Sequence, residues 1–191
     1  MTTPKTHAPD DHLLRHSVHF YDRPSSLIDR VCEYVREGIR AGDAAIIIVT
    51  PAHLQSIDAC LGARGFDVPE LRKSGQYVSL DAEQTLELFM VSGRPDRQRF
   101  SEVVGGQLLR MHATHTRVRA FGEMVALLWA EGNSKAALEL EDLWNELLGH
   151  HPFSLLCAYS LDVLGKPASL QTVVDIAVLH GRVLGTVETA A

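Results

Sequence analysis

The feature that most constrains the fold is an uninterrupted apolar run from Ala44 to Val49. A strand with no polar residue on either side is typical of a parallel sheet whose two faces are both covered by helices. The run is far shorter than the ~20 residues that a helix needs to span a bilayer. We therefore place it at the centre of the sheet of an α/β protein.

Short β-rich runs alternate with longer helical patterns along the rest of the chain, as expected when helices cover both faces of a parallel sheet. The further strands are predicted at 18–21, 76–80, 117–122 and 153–159, and the helices at 27–39, 51–61, 81–90, 100–111, 135–148 and 170–183, with a break at 93–96. This order predicts an α/β fold of three layers, in which a mainly parallel central sheet is flanked by helices.

The chain has 191 residues, with 18 basic and 24 acidic side chains and a net charge of −6. Its length predicts one domain, which we place at residues 16–184 between a disordered lead-in at 1–15 and a tail at 185–191. The acidic balance offers no cationic surface for phosphates, so we expect no direct nucleic-acid partner and no membrane partner.

The cellular compartment follows from the chain start and the cysteines. The first residues lack an apolar signal region, which favours a cytoplasmic protein. The three cysteines have no CxxC spacing, so we expect neither a disulfide framework nor a structural zinc site.

Polar side chains follow the predicted strands at their carboxyl ends, where parallel α/β sheets bind ligands. This set contains Tyr21, Thr50, His53, Asp81 and Glu123. We expect His53 in the first turn of a helix, where the helix dipole favours a neutral imidazole. Glu123 lies between apolar runs and is expected to be partly buried, either as a general base or paired with Arg119 or a helix N-terminus.

Several other candidates have a structural alternative. His19 fits a hydrogen-bonded strand residue as well as a ligand contact, and Trp129 and Trp144 fit core packing as well as ligand stacking. Cys157, in an apolar strand, fits an inert small hydrophobe. Asn145 and its neighbour one turn earlier, Glu141, are predicted at the surface of an amphipathic helix.

Motifs for phosphate, metal and nucleophile chemistry are missing. The sequence contains no GxxxxGK[ST] or GxGxxG, and a proline-bearing, glycine-free turn follows the apolar strand. The pairs His112 with His115 and His150 with His151 lack an accompanying acidic or cysteine ligand. No GxSxG elbow occurs. We therefore predict no catalytic residue, no metal and no cofactor.

Six strings in sequence order together resemble the MEDS domain, a sensory domain of methanogens and methylotrophs. They are HSVHFY at 16–21, IVTPAH at 48–53, LDA at 80–82, VRAFGEM at 118–124, LWNEL at 143–147 and LLCAY at 155–159. The resemblance extends from about His16 to His180. It implies a degenerate RecA- or KaiC-like fold without a phosphate-binding loop, and ligand sensing without established catalysis.

Carried over position by position, the resemblance implies a set of ligand-binding residues. The set comprises His19, Tyr21, Thr50, His53, Asp81, Glu123, Trp129, Trp144, Asn145 and Cys157. The last helix departs from the family pattern, because Ile176-Ala177 and His180-Gly181 stand where members tend to show a cysteine and a His-Ser pair.

Together these observations predict a stand-alone cytoplasmic regulator. It would bind an unknown small molecule at the strand ends and signal to a separate protein: a histidine kinase, an anti-sigma factor or a transcription regulator. Two alternatives stay open. One is a nucleotide-binding protein or hydrolase that uses Glu123 as base and His53 as electrophile or acid. The other is a protein-interaction module with a vestigial pocket. The sequence does not decide between a monomer and a homodimer.

Overall fold

The computed structural model describes residues 15–162, 164 and 170–185. Its eight strands are β1 (His16–Tyr21), β2 (Ala44–Val49), β3 (Tyr77–Asp81), β4 (Met90–Val91), β5 (Arg94–Pro95), β6 (Val118–Gly122), β7 (Phe153–Ser160) and β8 (Arg182–Gly185). Six of them form the central sheet in the order β3-β2-β6-β7-β1-β8, with every neighbouring pair parallel. β4 and β5 form a separate antiparallel pair.

Helices cover both faces of the central sheet. They are α1 (Pro24–Arg40), α2 (Pro51–Ala63), α3 (Val68–Lys73), α4 (Ala82–Phe89), α5 (Arg97–Phe100), α6 (Gly106–His112), α7 (Met124–Ala130), α8 (Ser134–His150) and α9 (Leu170–Val178), with a π-helical segment at Ser101–Gly105. One hydrophobic core lies between the sheet and α1 to α3, and a larger one lies between the sheet and α4 to α8. The predicted three-layer α/β fold is confirmed.

The apolar run is the strand β2, and all six of its residues are buried. Because side chains alternate across a strand, Ile46 and Ile48 enter the larger core while Ile47 and Val49 enter the core beneath α1. β2 lies between β3 and β6. It therefore occupies the central position that its two-sided apolar character requires.

The C-terminal part differs from the prediction. The helix predicted to reach residue 183 ends at Val178, and Arg182–Gly185 adds a sixth strand beside β1. The backbone N–H of Gly181 donates to the carbonyl of His16. That bond brings the chain onto the free edge of β1, where the ladder bonds outweigh the helical pattern.

Three smaller elements, α3, β4 and β5, lie where no element or only a break was predicted. α3 fills part of the segment between α2 and β3, and β4 with β5 forms a tight turn around the predicted break. Gly93 has a positive φ of 76°, which explains its place in that turn.

The predicted lead-in and tail lie outside the described residues, apart from Arg15 and Gly185. Among the helices that the structure describes, none has the length and apolarity to cross a membrane.

Candidate functional site

The carboxyl edge of the sheet holds a buried carboxylate. Glu123 follows β6 directly, and its backbone N–H donates to the carbonyl of Ile48 in β2, so its side chain meets the start of α2. Glu123 is only 4% exposed. Its Oε1 accepts a hydrogen bond from the backbone N–H of Thr50, and its Oε2 lies 2.6 Å from Nδ1 of His53. Both carboxylate oxygens are therefore held by the first turn of one helix.

This arrangement identifies which of the two predicted partners Glu123 contacts. Arg119 points elsewhere, to Asp43, with Nε 3.0 Å from the carboxylate. The partner of Glu123 is the N-terminus of α2, where free backbone N–H groups attract an anion.

His53 differs from the neutral imidazole expected at a helix N-terminus. The hydrogen bond to Glu123 raises the pKa of His53, and this effect outweighs its partial burial. A carboxylate in direct contact acts more strongly than the partial charge of a helix end. His53 is therefore drawn toward the imidazolium form.

His19 and Tyr21 lie on β1, on the face covered by α1. Nδ1 of His19 donates to the carbonyl of Leu184 at 2.8 Å, and its ring stacks on Tyr21 with centroids 6.2 Å apart. Burial lowers the pKa of His19. Burial also raises the pKa of Tyr21, and the negative charge of Glu123 adds to that effect. Tyr21 therefore lies within electrostatic range of the Glu123 carboxylate.

A cleft of about 430 Å³ opens beside His19. Its other lining residues come from α1 and the turn before it: Arg23, Ser25, Ser26, Asp29, Arg30 and Glu33. Nε2 of His19 lies 3.4 Å from Oγ of Ser26 at this cleft. His19 thus contacts both the Tyr21 ring and this open cleft.

Three of the predicted site residues have structural contacts. Asp81 is the N-cap of α4, where its side chain accepts from the N–H of Gln84 at 2.9 Å. Trp144 is buried in the larger core, and half-buried Trp129 packs edge-on against Tyr159 with centroids 5.9 Å apart. Neither tryptophan ring packs against the ring of His53 or of Tyr21.

The structure brings Asn145 and Cys157 together in a second group on the opposite face of the sheet. A fully buried cluster there consists of His16, Glu141, Cys157 and His180. Tyr159 donates to Oε1 of Glu141 at 2.7 Å. Burial raises the pKa of Glu141, but the adjacent His180 and His16 rings outweigh burial and hold that pKa well below its usual range.

The prediction that Glu141 lies at the surface is wrong, since this residue has no exposed area. Glu141 follows Ala137 by four residues and precedes Trp144 by three, so it lies in the middle of the apolar stripe of α8. That position was the available sequence signal. Asn145, one turn later, is half-buried, so it lies only partly at the surface.

Cys157 also differs from an inert hydrophobe. Its Sγ lies 3.3 Å from Nε2 of His16 and 3.5 Å from Oε2 of Glu141. Burial raises the pKa of the Cys157 thiol well above its ordinary value, and the charge of Glu141 adds to this. The thiol is thus surrounded by polar groups in a region without solvent.

Comparison with known proteins gives one family. A family described as MEDS, the MEthanogen/methylotroph, DcmR Sensory domain, matches residues 15–180 of the chain. The matched segment contains the Glu123 group and the buried cluster. The comparison with curated proteins found no match.

Proposed function

The chain belongs to the MEDS family of sensory domains, and from that premise we propose that it binds a small molecule at the carboxyl edge of its sheet. Glu123, His53 and Tyr21 would form the polar part of the site, and the backbone N–H of Thr50 would hold the Glu123 carboxylate in place. The bound state would be recognised by a separate cytoplasmic protein, such as a histidine kinase, an anti-sigma factor or a transcription regulator.

The observation that carries this proposal is the pairing of the buried Glu123 carboxylate with the first turn of α2. Since Nδ1 of His53 faces Glu123, the other ring nitrogen is left for a ligand, and the side chain is 29% exposed. A histidine drawn toward the imidazolium form presents an N–H donor at that nitrogen. A small molecule with a hydroxyl, carbonyl or carboxylate oxygen suits such a donor.

The same pairing offers a route from binding to signalling. Glu123 ties the start of α2 to the end of β6. The protein would have two arrangements, one with this contact intact and one with it broken. A ligand that binds His53 more tightly in one of them shifts the equilibrium, and with it the position of α2, toward that arrangement. The surface of α2 is then the part that a protein partner would recognise.

A thermal-shift screen of small oxygen-bearing metabolites tests the proposal. We expect a binding compound to raise the melting temperature of the wild type, and to lose this effect with Glu123→Gln and with His53→Ala. Glu83→Gln is the matched control and should respond like the wild type. Glu83 is an exposed carboxylate in the first turn of α4, the helix that follows β3, and β3 lies beside β2 in the sheet. If both site variants respond like the wild type, the proposed site is wrong.

A nucleotide titration distinguishes the alternative of a nucleotide-binding protein or hydrolase. We expect no saturable binding of fluorescent ATP or GTP in the presence of magnesium, because a proline-bearing turn follows β2 in place of a glycine-rich loop. Micromolar binding or measurable hydrolysis that Glu123→Gln abolishes would replace the sensory proposal with an enzymatic one.

A further inference from the structure

The buried cluster contains a histidine whose free ring nitrogen faces the other polar groups. Nδ1 of His180 lies 2.7 Å from the carbonyl of Ile176. A carbonyl only accepts hydrogen bonds, so Nδ1 carries a proton, and Nε2 is the nitrogen that can coordinate a metal ion when the ring is neutral. That Nε2 is fully buried and hydrogen-bonds to no described residue, with Oε1 of Glu141 3.4 Å away.

His16 is held in the same way by a side chain. Nδ2 of Asn145 donates to the carbonyl of Leu179 at 3.1 Å, and this bond fixes Oδ1 as the atom that faces His16. Oδ1 lies 2.8 Å from Nδ1 of His16, which must therefore be the donor. Nε2 of His16 is then the ring nitrogen that faces Cys157 and Glu141, at 3.3 Å and 3.4 Å.

Both histidines thus have the second contact that metal-binding histidines show, in which one ring N–H donates to a carbonyl-type oxygen and the other nitrogen is free to coordinate. Glu141 has the equivalent support, because Tyr159 donates to its Oε1. Three different outer contacts therefore orient three side chains toward one point.

The separations of three of the donor atoms match tetrahedral coordination, and the fourth donor lies close to them. Metal–ligand bonds of about 2.0–2.3 Å at tetrahedral angles place the ligand atoms about 3.3–3.8 Å apart. Nε2 of His16, Sγ of Cys157 and Oε2 of Glu141 lie 3.3 to 3.5 Å from one another. Nε2 of His180 lies 3.4 Å from the other carboxylate oxygen, Oε1, and one donor atom from each of the four residues lies within 4.8 Å of the other three.

We propose that His16, Glu141, Cys157 and His180 bind one divalent transition-metal ion of the zinc type. The ligand set consists of two imidazole nitrogens, a thiolate and a carboxylate. This set suits zinc and similar divalent first-row transition metals, whereas calcium and magnesium require oxygen ligands. A carboxylate and a thiolate balance the two charges of the ion, so the fully buried site is neutral overall. The Cys157 thiol releases its proton to solvent when the metal binds.

Four protein ligands leave no open position, so the ion would have a structural role. The ligands come from β1, α8, β7 and the turn between α9 and β8. The ion would therefore fasten the C-terminal segment of the described chain to the sheet. The sequence alone predicted no metal, and this cluster is separate from the small-molecule site proposed at Glu123.

Cobalt(II) is the probe for this site, because its absorption reports both tetrahedral geometry and a thiolate ligand. The full chain is stripped with a chelator under reducing conditions and titrated with cobalt(II), and then with zinc(II) in competition. We expect one equivalent of cobalt per chain, a thiolate charge-transfer band, and its displacement by zinc. Cys157→Ser should lose the band, and Glu141→Gln and His180→Ala should lose stoichiometric binding.

The controls separate this site from other thiols and histidines. Cys32 is equally buried and His150 is exposed, so Cys32→Ser and His150→Ala should bind cobalt like the wild type. Asn145→Ala removes only the contact that orients His16, and we expect it to weaken binding by about 10–100-fold.

A folded wild-type chain that takes up no stoichiometric cobalt or zinc overturns the proposal. So does a thiolate band that persists in Cys157→Ser or disappears in Cys32→Ser. If a ligand variant fails to fold, the wild-type titration and the Asn145→Ala titration still decide the question. The small-molecule screen depends on Glu123 and His53, which are not among the four metal ligands, so either proposal can fail without the other.

Discussion

Nδ1 of His53 lies 2.6 Å from Oε2 of Glu123, and this contact joins the first turn of α2 to the end of β6. Glu123 is almost fully buried, whereas His53 is partly open to solvent. The pair therefore combines a carboxylate that cannot be solvated by water with a histidine that exchanges protons with the solvent. Its contribution to stability must depend on pH.

The direction of that dependence follows from the raised pKa of His53. A group whose pKa is higher in the folded state stabilises the fold fully below its ordinary value of 6.5 and loses that contribution as pH rises through the raised value. We expect His53→Gln to lower the free energy of unfolding by about 1 kcal/mol more at about pH 5.5 than at about pH 9. Urea unfolding of the wild type and the variant at both values measures the difference.

A double-mutant cycle provides the control for this effect. In a Glu123→Gln background the histidine has no carboxylate partner, so His53→Gln should show no extra cost at low pH. An equal pH-dependent cost in both backgrounds would contradict the assignment of Glu123 as the cause.

Trp144 is predicted to act through packing and not through ligand contact. Its ring meets Phe100 edge-on at 5.2 Å and lies 6.1 Å from Phe153, and only 1% of the residue is exposed. Trp144→Ala should lower the free energy of unfolding by ~3–5 kcal/mol because it leaves a large cavity. Chemical denaturation measures this loss. A stable Trp144→Ala variant that loses only ligand binding would contradict the prediction.

The sequence predicted the fold class because its signals are local. The two-sided apolar character of β2 and the single apolar stripe of α8 each follow from a few consecutive residues. The strand β8 could not be predicted in this way. Its short segment becomes a strand only because β1 has a free edge beside it, and that edge exists only in the folded sheet.

The two groups of polar residues also differ in how far they could be predicted from local sequence signals. Thr50, His53 and Glu123 follow neighbouring parallel strands, so a general rule about strand ends brings them together. The buried cluster joins residues from β1, α8, β7 and the turn after α9, and no rule of spacing relates His16 to Glu141 or His180. Glu141 was the only local sign, as a carboxylate within an apolar stripe.

Asp81 offers a direct test of a structural role for a residue also predicted to bind ligand. Its side chain accepts from the N–H of Gln84 and so caps α4. We expect Asp81→Ala to lower the free energy of unfolding by about 1 kcal/mol and Asp81→Asn to cost much less, because asparagine caps equally well. Asp67→Ala, at the cap of α3, is the matched control and should show a similar loss. Equal losses for Asp81→Asn and Asp81→Ala would exclude capping as the cause.

A substitution at Gly38 should destabilise the protein through steric overlap, because the neighbouring Arg119 side chain is held in place by several contacts. A Cβ at Gly38 would lie 2.6 Å from Cδ of Arg119. Arg119 cannot move freely, since its Nε donates to Asp43 and its Nη1 to the carbonyl of Tyr34. The added methyl group would therefore displace Arg119 from buried Asp43, whose other arginine partner is Arg117.

We expect Gly38→Ala to lower the free energy of unfolding by about 1–3 kcal/mol, despite the higher helix propensity of alanine. Gly62, also within a helix, has no atom within 4 Å of such a Cβ, so Gly62→Ala should be neutral or stabilise the protein by up to about 1 kcal/mol. Urea unfolding of both variants compares the same substitution in open and filled space. If both glycines respond alike, the contact between Gly38 and Arg119 does not restrict that position.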